Sequence, residues 1–412
     1  MKILLVHNYY REPGGEDMVV AQEQRLLERN GHTVVTYTRS NVEATTTTLI
    51  DKVHLLKTIV SANDSRKDVD QLLRIEKPDV AHIHNTFMMV SPSIYGACAE
   101  AGIPTVQTVH NYRLLCPATY LFRDGRVCEE CIDHGLMRGV LHGCYRNSRL
   151  STAAVAVMLK IHRERDTWGS GVEAFIALTE FARIKLTACG FPSERVFVKP
   201  NFVEHDPGER TGLGDSVLFV GRLSPEKGVG ALLDAWRLLK RPLPLKIIGD
   251  GPERNDLESQ AIGGNLKNVE FLGRLSGERT REEMKRSRFL IVPSLWYEGF
   301  PMVIAEAFAC GLPVVGSRLG AMQEVIDDGM DGLHFVTGSS EDLASKAAWA
   351  WEHPEKMAEM GRNARFKYEE SYRPERNYSL LMEIYEKAAS KASRRSPVWE
   401  ASRQVSGACL AE

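Results

Sequence analysis

Two glutamates eight positions apart, Glu298 and Glu306, lie in the stretch Trp296-Tyr297-Glu298-Gly299-Phe300-Pro301-Met302-Val303-Ile304-Ala305-Glu306-Ala307. A helix is expected to begin near Pro301, because proline is tolerated in a helix's first turn. If most of the span were helical, the carboxylates would stand roughly 12 Å apart. Paired glycosidase carboxylates stand at roughly 5–10 Å, so that chemistry is not indicated. The spacing suits two ends of one long ligand, one carboxylate accepting from hexose hydroxyls and the other from a ribose diol. Between them a helix N-terminus offers free N–H groups and a positive dipole, which favour phosphate. The plain alternative is a capping glutamate followed by an exposed helical one. Two cations, Arg222 and Lys227, lie in Gly221-Arg222-Leu223-Ser224-Pro225-Glu226-Lys227-Gly228. On a strand-to-helix turn they suit a diphosphate, with Arg222 able to make paired hydrogen bonds. An ordinary solvated turn is the alternative. The next two apolar runs end in Gly249-Asp250-Gly251-Pro252 and Gly273-Arg274-Leu275, which would bring three glycine-bearing loops to one rim. Neither GxGxxG nor a P-loop occurs, so the loops imply a nucleotide-like ligand without naming it.

These groups need elements to aim them. Short apolar runs recur at Ile3–Val6, Thr33–Tyr37, Val80–His84, Thr105–Thr108 and Ala174–Leu178. A second series follows at Val217–Val220, Leu245–Ile248, Val269–Leu272, Phe289–Val292 and Pro313–Val315. Most are continuously apolar rather than alternating, as in parallel strands covered on both faces. Helix-like segments such as Asp17–Asn30 and Val229–Lys240 lie between them, so an α/β fold is expected. A polar, glycine-rich seam at Glu204–Gly214 divides the chain into halves of about 200 residues with a cleft between them.

The composition agrees with this and excludes other classes. The 412 residues are 43% hydrophobic and 26% charged, enough for full-sized cores. The 52 basic and 54 acidic side chains give a net charge of -2, which argues against a dedicated nucleic-acid binder. Met1–His7 holds four consecutive apolar residues, whereas a signal peptide needs roughly 7–15. No uncharged apolar run reaches about 18 residues, so no membrane-spanning helix is expected. Cys98, Cys189, Cys310 and Cys409 are scattered in apolar or tail contexts. The expectation is a cytoplasmic protein with reduced thiols.

The run from Glu298 to Glu306, followed by Ala307-Phe308-Ala309-Cys310-Gly311-Leu312-Pro313-Val314, resembles the EX7E signature of retaining glycosyltransferases. Together with Gly221–Gly228 and Gly249–Pro252, the ordered motifs resemble glycosyltransferase family 4. The fold implied is GT-B: α/β, two Rossmann-like domains with parallel sheets facing a central cleft. Gly320-Ala321-Met322-Gln323-Glu324-Val325-Ile326 is similar to the family's G-G-x-P-E-V-I but departs from it at Ala321 and Gln323. The resemblance implies that Arg222 and Lys227 neutralise the donor diphosphate and that Glu298 contacts donor sugar hydroxyls. It implies that backbone amides of the segment Gly299-Phe300-Pro301-Met302 hold sugar and phosphate, and that Glu306 hydrogen-bonds the ribose. Gly249 belongs to a donor-side loop, and Arg274 and Leu275 would lie beside the base. In the first half, Thr108-Val109-His110-Asn111 resembles the family's T-x-H-D/N, which implies that His110 faces the reacting centre. The loop Pro13-Gly14-Gly15-Glu16 precedes a helix; in similar enzymes it closes over donor phosphates or acceptor. Gly14 and Gly15 let backbone approach a ligand closely. A structural histidine and a plain tight turn are the respective alternatives.

Several features fall outside these motifs. His82 and His84 share a strand face, but no further metal ligands are found for them, so they read as structural. Asp68-Val69-Asp70 matches DxD but falls in a helix-like segment and reads as a solvated face. Cys116, Cys128, Cys131 and Cys144, in an insert at 115–148 that breaks the α/β rhythm, admit a structural zinc, separately buried thiols, or a redox or iron–sulfur role. Residues 135–165 hold Arg138, Arg146, Arg149, Lys160, Arg163 and Arg165 against one acid, Glu164. Such a stretch suits either anionic lipid at the inner face of a membrane or a packed helix with a solvated basic side.

The expected organisation is an N-terminal acceptor domain at 1–200 and a C-terminal donor domain at 201–374. A helix at 375–392 would pack back on the first domain, followed by a disordered tail at 393–412. The expected function is retaining transfer of a hexose from a nucleotide-diphosphate sugar to a hydroxyl of a saccharide or lipid-linked saccharide, with no cofactor required. An epimerase-like enzyme on the same fold and a non-catalytic binding module are the competing readings.

Overall fold

The computed structural model describes residues 1–12, 14–44 and 49–406, with the side chains of 49–54 and 393–406 excepted. The N-terminal half holds a parallel sheet built from β1 (Lys2–Tyr9), β2 (Thr33–Ser40), β3 (Val80–Ile83) and β4 (Thr105–Val109). After an insert carrying the small hairpin β5 (Phe122–Arg123) and β6 (Arg126–Val127), the sheet is completed by β7 (Ala174–Ala177) and β8 (Val196–Val198). Its order is β2-β1-β3-β4-β7-β8. The C-terminal half repeats the plan with β9 (Ser216–Val220), β10 (Leu245–Ile248), β11 (Val269–Gly273), β12 (Ser287–Val292), β13 (Val314–Ser317) and β14 (Gly332–Phe335). Its order is β11-β10-β9-β12-β13-β14. Both sheets reverse strand order beside their first strand, which opens a crevice at the carboxyl edge.

The continuous apolar runs of the sequence are the strands, because helices cover both faces of each sheet. Leu4, Val6, Ile83 and Phe175 are buried on one side of the first sheet, and Ile3, Val80, Val106 and Ile176 on the other. In the second, Val217, Phe219 and Ile291 face one core and Leu218, Leu290 and Val314 the opposite one. Two elements had no clear sequence signal. β8 has only three residues, and β14 reads Gly332-Leu333-His334-Phe335, with a glycine and a histidine diluting its apolar run.

Two expectations shift in detail, and the reading of Asp68 and Asp70 as a solvated helix face holds. The helix expected near Pro301 spans Met302–Ala309, with Pro301 extended as its N-cap. Glu298 therefore stands in the loop before it, and the helical spacing argument does not apply to the whole Glu298–Glu306 span. Asp68 and Asp70 lie on helix Asn63–Glu76, where Asp68 accepts from the Tyr37 hydroxyl at 3.1 Å and Asp70 pairs with Arg74 at 2.9 Å. The last helix runs from Pro374 to Ser406, so residues 393–406 are helical rather than irregular; 407–412 lie outside the described residues. Alanine, lysine and arginine supply eight of the fifteen residues 387–401 and are good helix formers even without periodicity, whereas the three serines and Pro397 in the same stretch give the sequence its irregular look.

That last helix crosses back to the first domain. Leu381, Ile384, Tyr385 and Ala388 join Ile3, Leu27, Val80 and Val106 in one core, and Tyr385 hydrogen-bonds His82 at 2.7 Å. A second strap joins the halves where the Glu324 carboxylate accepts from the Glu180 and Phe181 amides, each at 2.8 Å, at the open N-terminus of helix Glu180–Ala188. Glu324 belongs to the segment matching G-G-x-P-E-V-I.

Candidate active site

The carboxyl edges of the two sheets line a common cleft of about 880 Å³. On the C-terminal wall, β9 ends at Val220 and the turn Pro225–Lys227 leads through Gly228 into helix Val229–Leu238. Gly228 has φ +69°, and a Cβ there would collide with the Pro293 carbonyl. Glycine thus lets this turn press against the loop after β12. The close approach makes an ion pair: Lys227 Nζ lies 2.7 Å from Glu298 Oε1, which also accepts from Ser294 Oγ at 2.7 Å. Glu298 is 6% exposed, so its charge survives burial because it is paired and hydrogen-bonded. Arg222 is more open and reaches Glu12 on the opposite wall at 3.5 Å, a weak surface pair. Gly299, Phe300, Pro301 and Met302 continue the wall, and Glu306 follows on the helix. Burial pushes the Glu306 carboxyl above its usual range, with Arg281 opposing.

On the N-terminal wall, β1 delivers Tyr10 and β4 delivers His110 and Asn111. Gly14 and Gly15 line the cleft at the start of helix Gly15–Arg29. Glu16, one residue further, accepts from the Tyr10 hydroxyl at 2.9 Å and from Asn111 Nδ2 at 3.1 Å. Its second oxygen is buried without a partner. Burial pushes this carboxyl up to about 7. Burial, reinforced by His84 and His7, holds His110 well below the usual imidazole range, so it is neutral at physiological pH. Tyr120 and Trp296 meet edge-to-face across the cleft, ring centroids 5.0 Å apart.

The fold therefore gathers Gly14, Gly15, His110, Arg222, Lys227, Glu298, Gly299, Phe300, Pro301, Met302 and Glu306 around one cavity. Gly249, Arg274 and Leu275 are not in its lining. A Cβ on Gly249 would strike the Gly221 carbonyl, so this glycine serves the packing of one loop on another. Arg274 is exposed and Leu275 packs, half-buried, against the core of the second domain. Both follow β11, an edge strand two places from β9. Sequence reasoning did not single out Tyr10, Tyr120, Trp296 or Asn201 as lining residues, nor Glu16 as a site carboxylate. Glu16 had a visible signal, an acid in the first turn after two glycines; the aromatics had none.

Cys116, Cys128, Cys131 and Cys144 line one small cavity beside Arg123. The Cys131 thiol donates to Cys116 and holds it below the usual thiol range. No three of the four sulfurs lie mutually within 4.8 Å, so a metal would require the thiols to close in. His82 and His84 do have a third partner, correcting the sequence reading: Glu23 lies within 4.8 Å of both. Its carboxylate also binds the Lys199 ammonium at 2.9 Å, however, and that positive charge opposes a cation in the same place.

Two domains of this topology, with a cleft built of cations, carboxylates and helix N-termini, define the GT-B architecture. The chain matches the family models Glycosyltransferase Family 4 over residues 13–207 and Glycosyl transferases group 1 over residues 211–367. It belongs to glycosyltransferase family 4. Among curated relatives, it is 36% identical over 159 residues to D-rhamnosyltransferase WbpZ of Pseudomonas aeruginosa, covering 38% of this chain and 41% of the relative. It is 33% identical over 189 residues to phosphatidyl-myo-inositol mannosyltransferase of Mycobacterium leprae, covering 44% and 49%. The matched stretch thus spans less than half the length of these relatives. Solved structures share the fold. Anabaena Alr3699/HepE in complex with UDP superposes with a TM-score of 0.66 at 19% identity, covering 95% of this chain and 100% of that one. Sucrose-phosphate synthase of Thermosynechococcus elongatus gives 0.70 at 17%, covering 95% and 99%. Among the described residues no helix is long and apolar enough to cross a membrane.

Proposed function

We propose that this chain is a retaining glycosyltransferase that moves a hexose from a nucleotide-diphosphate sugar to a hydroxyl of a saccharide or lipid-linked saccharide, without a catalytic metal. The observation that carries this reading is the Lys227–Glu298 pair at the mouth of a helix N-terminus, opposite His110 and flanked by Arg222 and Glu306. Lys227 and Arg222 supply positive charge where a leaving diphosphate gathers negative charge, and the amides before Met302 add to it. The Anabaena relative binds UDP, which supports a nucleoside diphosphate here. In the proposed step the acceptor oxygen attacks the anomeric carbon on the face from which the diphosphate leaves. The C–O bond to the β-phosphate breaks as the new C–O bond forms, and the hydroxyl proton passes to the departing phosphate oxygen. Glu298, held by Lys227 and Ser294, accepts from sugar hydroxyls; neutral His110 hydrogen-bonds the same sugar.

Two further parts belong to this proposal. The four clustered cysteines close on a structural zinc that staples an insert with little core of its own. The insert and the helix after it dock on anionic lipid from the cytoplasmic side: Met137, Leu141, Leu150 and Val157 are exposed beside Arg138 and Arg149. The test of the central claim is a panel of nucleotide sugars with EDTA present, product anomer read by NMR, in parent and Glu298→Gln. Retained configuration and a crippled Glu298→Gln are expected; an inverted product, an epimerised donor without acceptor, or a fully active Glu298→Gln would overturn it.

A further inference from the structure

Behind the cleft wall runs a buried chain of polar groups that the proposed chemistry does not use. His110 Nε2 lies 2.8 Å from His84 Nδ1. His84 Nε2 lies 3.2 Å from Glu23 Oε1, and His82 Nδ1 lies 3.0 Å from the same oxygen. Glu23 Oε2 binds Lys199 Nζ at 2.9 Å, and Lys199 continues to Asn377 Oδ1 at 3.1 Å on the last helix. His82 is held from both ends, by Tyr385 at 2.7 Å and Thr108 at 2.8 Å. Glu23, His82, His84 and Lys199 are all almost wholly buried, and Glu23 is absent from the cleft lining.

We propose that Glu23 is a positioning residue that fixes the tautomer of His84 and, through it, leaves His110 presenting a bare Nδ1 lone pair to the cleft. A neutral imidazole carries one proton on two nitrogens. A lone pair on His84 Nε2 would face the Glu23 carboxylate at close range, which is repulsive, so the proton resides there. The approach is off the hydrogen-bond axis, since neither His84 Nε2 nor Glu23 Oε1 has an aligned partner. Glu23 thus acts on this tautomer as a nearby charge. His84 Nδ1 is then an acceptor, His110 Nε2–H must donate to it, and His110 Nδ1 is left without a proton. Burial pushes the Glu23 carboxyl up, but Lys199 and His82 outweigh it and hold it well below the usual range, so the charge persists. Burial, reinforced by neighbouring His82, drives His84 down to about 3, so it stays neutral. The remaining His110 nitrogen accepts from a sugar hydroxyl instead of donating to one. That last statement rests on the proposed transferase reading; the tautomer assignment does not.

The experiment has a structural and a kinetic arm, both on the full chain. Histidine-selective 15N labelling with long-range proton–nitrogen correlation reads the tautomers, His84 and His110 being assigned by loss of each signal in His84→Asn and His110→Gln. The parent should show both as Nε2–H, and Glu23→Gln should show His110 shifted toward Nδ1–H. Kinetically, Glu23→Gln should lower kcat by about 10–100-fold, as loss of a histidine's outer partner does at metal centres, while donor KM stays within about threefold. Glu23→Gln/Lys199→Met removes the stranded ammonium and should recover melting temperature without recovering kcat. In a His110→Ala background Glu23→Gln should cost less than about twofold. Unchanged tautomers in Glu23→Gln overturn the proposal, as does recovery of kcat in the double variant or an additive loss on His110→Ala. Should no nucleotide sugar be turned over by the parent, the transferase reading fails, and the tautomers alone still decide the role of Glu23.

Discussion

Gly299 offers the sharpest test of the cleft as a working site. It follows Glu298 on the C-terminal wall, and a Cβ built on it would overlap the backbone carbonyl oxygen of His110 on the N-terminal wall. Backbone cannot rotate away as a long side chain can. Restoring ordinary carbon–oxygen contact asks the two loops to part by about 1 Å. The loops that must separate carry His110 and Glu298, and Tyr112 reaches the Glu298 carbonyl at 3.5 Å beside them. A misplacement of about 1 Å between reacting groups can cost about 100-fold in rate. Gly299→Ala should therefore lower kcat/KM about 100-fold, close to 3 kcal/mol of transition-state stabilisation. Neither domain core is touched, so melting should move by no more than about 2 °C. Nucleoside diphosphate affinity, which the proposed function assigns to Arg222, Lys227 and Glu306 on a single wall, should stay within about threefold, read by calorimetry. Near-parental kcat/KM in Gly299→Ala would refute the reasoning, because it would mean that His110 and Glu298 need not close on each other.

Two further predictions follow from the site and the insert. The Glu16 carboxyl, pushed up to about 7 by burial, binds more protons folded than unfolded between its ordinary value and 7, so its contribution to stability falls as pH rises through that window, by up to about 3 kcal/mol. Glu16→Gln should melt close to the parent at pH 5 and above it at pH 8; a difference that does not change with pH sinks this account. For the insert, purified protein should carry about one zinc per chain, with Cys116→Ser and Cys131→Ser losing the metal and, at the low end for a lost staple, about 2 kcal/mol of stability. Metal well below stoichiometry by elemental analysis would assign the four sulfurs as separate thiols.

Much was legible from local pattern. Continuous apolar runs announced two parallel sheets, since a strand covered on both faces has no polar face to alternate. The loops carrying Arg222, Lys227, Glu298 and His110 could be placed because ligand-binding groups in α/β sheets gather at carboxyl edges, a rule needing only strand direction. Other features waited for the folded chain. That Gly249 packs against a neighbouring loop, and that Arg274 and Leu275 fall outside the cavity lining, depend on how the loops settle on one another, which a linear pattern does not carry. Glu16 became a site carboxylate only when Tyr10 and Asn111, 101 positions apart, met at its side chain. Glu23, His84 and Lys199 gave no sequence sign of acting together: a glutamate on a helix, a histidine at a strand end and a lysine after a short edge strand are each unremarkable. Their meaning comes from burial, which removes the water that would otherwise screen their charges and makes each choose its partner from whatever the tertiary fold has brought within about 3 Å.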